Sequence, residues 1–101
     1  MKLLVDARSL GSHPSGIGMY LYDFLIELLK EPDFEITLLS DIATSDEMLD
    51  LAERGVPIVT YGTQIFQSVQ VLKYFRFVQD SLDYYHPDLF WEPNNLIPVR
   101  L

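Results

Sequence analysis

The sequence predicts an α/β fold in which a doubly wound, mostly parallel sheet carries helices on both faces. Short apolar runs of strand length alternate with longer runs in which apolar residues recur every three or four positions, the spacing of a helix. The first run, Leu3-Leu4-Val5, is apolar without alternation, which is typical of a strand covered on both faces. Four strands alternating with three helices, joined by right-handed crossovers, give the strand order 3-2-1-4.

Length and composition limit what the chain can do. Its 101 residues, 49% of them hydrophobic and 13% aromatic, are enough for a single domain with a real core. The formal net charge of -8 argues against nucleic-acid binding and against a general attraction to anionic lipid. The absence of cysteine excludes disulfides and thiolate metal sites. Met1-Lys2-Leu3 leads directly into a strand and no apolar run is long enough to span a membrane, so we expect a cytoplasmic protein.

The first predicted unit is a strand over residues 2–7, a polar loop, and a helix over residues 16–31. Ser15 is placed to cap this helix through its hydroxyl, and Pro32 ends it. We expect the residues at helical spacing to face the sheet, namely Ile17, Tyr20, Leu21, Phe24, Leu25, Leu28 and Leu29.

The second unit is a strand over residues 34–39 followed by a short helix. Thr44 and Glu47 form a capping box at the start of that helix, and Gly55 is its expected C-cap. A third strand follows over residues 56–61. Because Pro57 is tolerated only at the start of a strand or on an outer edge, we place this strand at the edge of the sheet.

The last unit is a long helix over residues 64–85, which Pro87 ends, and a fourth strand over residues 88–91. Bases and aromatics alternate in the segment 73–77, which is compatible with a helix face on a membrane surface. The segment has only two positive charges, so ordinary packing is the favoured alternative. The predicted apolar stripe of this helix is Ile65, Val69, Leu72, Phe75, Val78, Leu82 and Tyr85.

The glycine-rich turn Gly16-Ile17-Gly18 is a candidate anion site. The first amides of a helix have no partner within it and the helix dipole is positive there, so a phosphate can approach closely. A dinucleotide fingerprint would place three glycines directly after the strand, and Tyr20 stands near where the third is due. No nicotinamide or flavin cofactor is therefore expected. The alternative is that the glycines only allow a tight turn into the helix.

Asp6 and Arg8 follow the first strand at its carboxyl end, the edge where open parallel sheets bind ligands. Arg8 can bind a phosphate, or it can form a local ion pair with Asp6. His13 has no acidic or cysteine partner at metal-ligand spacing, and His86 at a helix end is explained by the helix dipole. We therefore expect no metal site.

Three segments in this order resemble the N-terminal region of the family 4 (group 1) glycosyltransferases: Asp6-Ala7-Arg8, Ser15-Gly16-Ile17-Gly18-Met19-Tyr20, and Pro87-Asp88-Leu89-Phe90-Trp91-Glu92-Pro93-Asn94-Asn95. The similarity spans the whole chain. It implies two Rossmann-like domains across a cleft, the N-terminal one holding a sugar or lipid-linked acceptor and the C-terminal one a nucleotide-sugar donor. It also implies that Gly16, Ile17 and Gly18 contact the donor's phosphates, and that the sugar is transferred with retention.

The resemblance also implies parts that these 101 residues do not contain: further strands, a histidine, and a donor domain with paired glutamates. We therefore expect residues 1–101 to be a truncated acceptor-side domain, inactive alone and without a catalytic residue of its own. The alternative, from another class, is a small non-catalytic binding module on the same scaffold.

The residues around the fourth strand support two further expectations. Tyr20 is placed at the cleft edge with Asp6 and Arg8, and Asn94 and Asn95 follow the strand at that edge, where their amides can bind sugar hydroxyls or can simply shape a turn. No lysine or proline protects the strand edge over residues 89–91, and an apolar tail follows over residues 96–101. The sequence therefore predicts a homodimer or larger assembly, through edge pairing or exchange of the tail.

Overall fold

A computed structural model describes residues 1–11, 16–62 and 68–92, and within the last range it describes only the backbone of residues 68–72 and 75. The elements in chain order are β1 (Lys2–Asp6), a short 3-10 helix (Arg8–Leu10), α1 (Gly16–Leu28), β2 (Glu35–Ser40), α2 (Asp46–Glu53), β3 (Ile58–Thr60), α3 (Ser68–Tyr85) and β4 (Leu89–Trp91).

The four described strands form one sheet in the order β3-β2-β1-β4, with every neighbouring pair parallel. This confirms the predicted α/β fold, the strand order and the edge position of β3. The chain winds from β1 to β2 to β3 on one side and then crosses to β4 on the other. The boundary between β1 and β4 is therefore the switch point, where open parallel sheets form a crevice at the carboxyl ends of their strands.

Helices cover both faces of the sheet because alternate residues of β1 point to opposite sides. Leu3 and Val5 pack with α1 and α2, whereas Leu4 packs with α3. Residues that are fully or nearly fully buried hold each layer together. The first layer includes Leu21, Leu25, Leu38, Met48 and Leu51, and the second includes Leu39, Tyr74, Val78 and Leu82.

Only part of the predicted stripe of α1 faces the core, because Leu28 and Leu29 pack against it together with the buried Leu21 and Leu25. Gly18, Leu21 and Leu25 are buried, whereas Ile17, Tyr20 and Phe24 are exposed. Apolar residues occupy more than one side of this helix, so periodicity alone does not select the side that packs. The regular helix also ends at Leu28, and turn-type hydrogen bonds carry the chain through residues 29–31.

The cap of α2 lies one residue later than predicted. Ser45 is the N-cap, and its Oγ accepts a hydrogen bond from the Met48 N–H at 3.1 Å while donating one to the Leu10 carbonyl. The link to Leu10 explains why the buried Ser45, and not the exposed Thr44, takes the cap position. Gly55 follows the C-cap residue with φ of 91°, a backbone conformation that favours glycine.

Several sequence predictions fall on residues outside the described ranges. They concern the cap by Ser15, the role of His13, the contacts of Asn94 and Asn95, the tail over residues 96–101, and part of the predicted stripe of α3. In the described part of that stripe, Val78 and Leu82 are buried, and so is Tyr74, which the prediction left out. None of the described helices is long and apolar enough to cross a membrane.

Candidate functional site

Charged side chains meet at the carboxyl edge of the sheet, at the boundary between β1 and β4. Asp6 is the last residue of β1, and Glu92 follows β4 directly. The register pairs Val5 with Trp91, so the next residue of each strand arrives at the same level of the edge. The topology therefore brings two carboxylates, 86 positions apart in the sequence, to the switch point.

Arg8 bridges these two carboxylates. Its Nε lies 3.3 Å from each oxygen of Asp6, and its Nη2 lies 3.4 Å from Oε2 of Glu92. The side chains are only 13%, 3% and 4% exposed for Arg8, Asp6 and Glu92, so solvent screens the pairs weakly. Burial opposes the positive charge, but the carboxylates of Asp6 and Glu92 outweigh it and hold the pKa of Arg8 above its ordinary value. The local ion pair considered from the sequence is thus present, and it extends to Glu92.

Tyr74 of α3 completes the cluster from the side of the sheet on which Leu4 also packs. Its hydroxyl donates a hydrogen bond to Oδ1 of Asp6 at 3.2 Å, and its ring centroid lies 4.4 Å from Cζ of Arg8. Burial, together with the negative charge of Asp6, raises the pKa of Tyr74 far above its ordinary value. The Tyr74 hydroxyl therefore stays protonated and donates a hydrogen bond, and its ring stabilises the Arg8 guanidinium through a cation–π contact.

The loops after β1 and β2 are joined beside this cluster. The Gly11 carbonyl accepts hydrogen bonds from the N–H groups of Thr44 at 2.8 Å and Ser45 at 3.0 Å. A Cβ at Gly11 would lie 2.9 Å from the Ile42 carbonyl oxygen and 3.2 Å from Oδ1 of Asp41, so only glycine fits there. Close backbone contacts thus fix the two loops against each other at the carboxyl edge.

The start of α1 lies at this same edge because α1 follows β1, and α1 packs against the 3-10 helix that carries Arg8. Gly16 is its first residue and is exposed. Apart from its neighbours in the chain and the backbone of its own helix, no atom of the described residues lies within 4 Å of a Cβ built at Gly16. Packing within the described structure therefore does not require glycine at this position, in contrast to Gly11. The first turn of α1 also contains no acidic residue, so its positive end is not neutralised from within the helix.

The other predicted site residues are distributed as follows. Gly18 is buried, and Ile17 is exposed beside Gly16. Tyr20 is exposed on the outer face of α1, where its ring stacks on Phe24 with centroids 6.4 Å apart. The structure brings Asp6 and Arg8 together, and Asn94 and Asn95 lie outside the described residues.

Comparisons with family models, with curated proteins and with solved structures gave no match. What the site can bind therefore follows from its own geometry. Among the described residues, no group of three or more acidic or histidine side chains is placed to hold a metal ion. The arrangement provides an exposed helix start at Gly16, on the same edge of the sheet as a buried ion-pair cluster.

Sequence reasoning missed Glu92 and Tyr74 as members of the cluster. Glu92 could have been predicted, because the strand order 3-2-1-4 brings an acid directly after the fourth strand to the same edge as Asp6. Tyr74 carries no comparable signal, since only the packing of α3 on the sheet decides which of its aromatic residues approaches Asp6.

Proposed function

We propose that the chain is the acceptor-side N-terminal domain of a glycosyltransferase that takes its sugar from a nucleotide-sugar donor. The observation that carries this proposal is the exposed start of α1 at Gly16, on the carboxyl edge beside the switch point. The first amides of a helix, which have no partner within it, and its positive end suit the diphosphate of such a donor. The order of the three motifs that resemble the family 4 glycosyltransferases supports the same function.

Within this proposal, the backbone of residues 16–18 contacts the donor's phosphates and Arg8 does not. Arg8 already bridges Asp6 and Glu92 at 3.3 and 3.4 Å, and displacing either carboxylate would break a buried ion pair. The role of the cluster is to hold the loop after β1 in place. Asn94 and Asn95 stay candidates for binding the hydroxyls of a sugar or lipid-linked acceptor.

Sugar transfer of this type depends on positioning and on electrostatic stabilisation of the leaving diphosphate. A single domain provides one wall of the cleft. We therefore expect residues 1–101 alone to bind the donor's diphosphate weakly and to transfer no sugar. The cytoplasm is the proposed location, in agreement with the lack of cysteine in the chain.

Amide NMR of the 101-residue chain tests the phosphate assignment. Titration with a nucleoside diphosphate is expected to shift the amide signals of residues 16–18, with a dissociation constant on the order of 1 mM, which corresponds to about 4 kcal/mol of binding. Gly16→Val should abolish the shifts, because a branched side chain at the helix start is expected to block the approach of a phosphate. Met19→Val, an exposed position of the same helix, is the matched control and should retain them.

Amide signals of residues 16–18 that do not respond would refute the phosphate assignment, as would equal responses in the Gly16→Val and Met19→Val variants. Inorganic pyrophosphate in place of the nucleotide reports whether the diphosphate alone is sufficient, as the proposal requires. In a two-domain enzyme that contains this chain, Gly16→Val is expected to lower turnover by about 100-fold, the usual effect of losing one preorganised donor. Unchanged turnover there would also contradict the assignment.

A further inference from the structure

A cleft of about 410 Å³ lies at the amino end of the sheet, between the start of β2 and the turn from α2 to β3. The register pairs β3 only with the second half of β2, from Leu38 onward. The earlier residues of β2 therefore have no strand partner on that side among the described residues. We call this opening the β2 cleft. Its walls include the side chains of Leu29, Phe34, Glu35, Thr37, Arg54 and Val56.

The backbone of Ile36 points both of its polar groups toward the β2 cleft. The N–H of Leu38 donates to the Pro57 carbonyl at 2.9 Å, on the side of β3. The N–H of Glu35 donates to the Met1 carbonyl at 2.8 Å, on the side of β1. Because the two sides alternate along a parallel strand, the N–H and C=O of Ile36 point to the side of β3.

These two groups of Ile36 have no backbone partner among the described residues. The next ladder partner of the Ile36 carbonyl would be an N–H at Pro57, which proline lacks. Ile36 is only 6% exposed, and a buried N–H and C=O require a partner from water or from a ligand. The β2 cleft therefore holds one donor and one acceptor side by side, ready for a group that carries the matching pair.

One residue of an extended peptide carries this matching pair. In antiparallel pairing, a residue exchanges both hydrogen bonds with the residue opposite. A short peptide that lies where a longer β3 would run can therefore satisfy the N–H and the C=O of Ile36 together. This is the addition of a strand to an open part of a sheet edge.

The alternation of side chains determines which peptide fits. Ile36 belongs to the core layer of α1 and α2, so a residue paired with it points to the apolar side of the cleft. The two neighbours of that residue point to the other face, as the side chains of Glu35 and Thr37 do. The central residue should therefore be apolar, and its neighbours should suit an acidic and polar surface.

Charge selects basic neighbours. Glu35 is exposed and forms no ion pair within the described part of the chain. Arg54, the basic residue of the cleft, is already paired with Asp50 at 2.9 Å. The net charge of -8 also attracts a basic peptide at long range.

We propose that the β2 cleft binds an extended peptide segment in which an apolar residue lies between two basic residues, the apolar residue being paired antiparallel with Ile36. The inference does not depend on the proposed glycosyltransferase function, because the start of α1 lies at the opposite, carboxyl edge of the sheet.

Amide NMR of the 101-residue chain tests the pairing. In the free chain, the N–H of Ile36 should exchange with water faster than that of Leu38, which is hydrogen-bonded. The probe is acetyl-lysyl-leucyl-lysine amide. It should move the Ile36 amide signal downfield and slow its exchange, with a dissociation constant on the order of 1 mM. The same peptide methylated on the leucine nitrogen cannot donate to the Ile36 carbonyl and should bind about 10-fold more weakly.

A matched pair of variants tests the charge. Glu35→Lys should weaken binding of the probe about 5-fold, the effect of an exposed ion pair. Asp83→Lys makes the same change in net charge at an exposed position of α3 that does not line the cleft, and it should bind the probe like the unchanged chain. Both positions are exposed, so both variants should fold.

Four outcomes would overturn the proposal. An Ile36 amide that exchanges as slowly as that of Leu38 in the free chain would already be paired. An Ile36 signal that does not respond to about 20 mM peptide would leave water as the only occupant of the cleft. Equal affinity for the methylated peptide would exclude the backbone pairing. Equal weakening in Glu35→Lys and Asp83→Lys would assign the binding to net charge alone.

Discussion

Removing the hydroxyl of Tyr74 measures how much its contact with Asp6 stabilises the fold. Tyr74→Phe keeps the ring beneath Arg8 but removes the hydrogen bond to Oδ1 of Asp6, which is 3.2 Å long. Asp6 is only 2% exposed, so water does not readily replace the lost donor. The carboxylate still accepts from the backbone N–H and the Nε of Arg8. The expected loss is therefore partial.

Hydrogen bonds to charged groups contribute about 1.5 to 3 kcal/mol, and the remaining donors place Tyr74→Phe at the lower end. We expect a fall of about 1 to 2 kcal/mol in the free energy of unfolding. For a domain of this size the fall corresponds to a decrease in Tm of roughly 5 to 15 °C. Urea unfolding at pH 7, followed by circular dichroism, gives the free-energy difference, and a thermal scan gives the shift in Tm.

Tyr84→Phe is the control on the same helix, because Tyr84 is 77% exposed. Its free energy of unfolding should stay within about 0.5 kcal/mol of that of the unchanged chain. If Tyr74→Phe and Tyr84→Phe unfold at the same urea concentration, the hydroxyl of Tyr74 does not stabilise Asp6, and the cluster is not the rigid element described above.

Two other predictions concern pH and glycine. The pKa of Tyr74 is raised from its ordinary value of 10.0, so its contribution is complete below pH 10.0 and is lost as pH rises further, when the unfolded chain releases the proton and the folded chain keeps it. Between pH 9 and 11 the free energy of unfolding should therefore fall less in Tyr74→Phe than in the unchanged chain. Equal falls would contradict the burial of this hydroxyl. Gly55→Ala should cost about 1 kcal/mol, because φ at Gly55 is 91°. The described structure leaves open space at Gly16, so the free energy of unfolding of Gly16→Ala in urea should stay within about 0.5 kcal/mol of that of the unchanged chain. A cost equal to that of Gly55→Ala would mean that the fold requires glycine at position 16.

The sheet could be predicted from the sequence because its signals are local and agree with one another. The unbroken apolar run of β1 indicated a central strand, and Pro57 indicated an edge strand. Each of these positions was confirmed. Short runs separated by helices leave few arrangements once crossovers are right-handed, so the strand order followed from simple rules.

Side-chain placement could not be predicted where it depends on distant parts of the chain. Thr44 and Ser45 are adjacent residues with the same capping chemistry, and the choice between them is made by the Leu10 carbonyl, 35 positions away. Likewise, Asp6 and Tyr74 are 68 positions apart, and only the docking of α3 brings them together. The position of the site on the sheet and the Asp6–Arg8 pair were thus predictable, whereas Glu92 and Tyr74 were missed.

The contact between β1 and β4 has a consequence for synthesis on the ribosome. The N–H of Lys2 donates to Oδ2 of Asp88 at 2.7 Å, and the N–H of Asp88 donates to the Lys2 carbonyl at 2.9 Å, across 86 positions. The strands β1, β2 and β3 can pair while the chain is still emerging, but one side of β1 stays open until residue 92 has been made. β4 therefore docks into a sheet that is already formed, and a nascent chain that stalls before β4 exposes the central strand to its neighbours on the polysome.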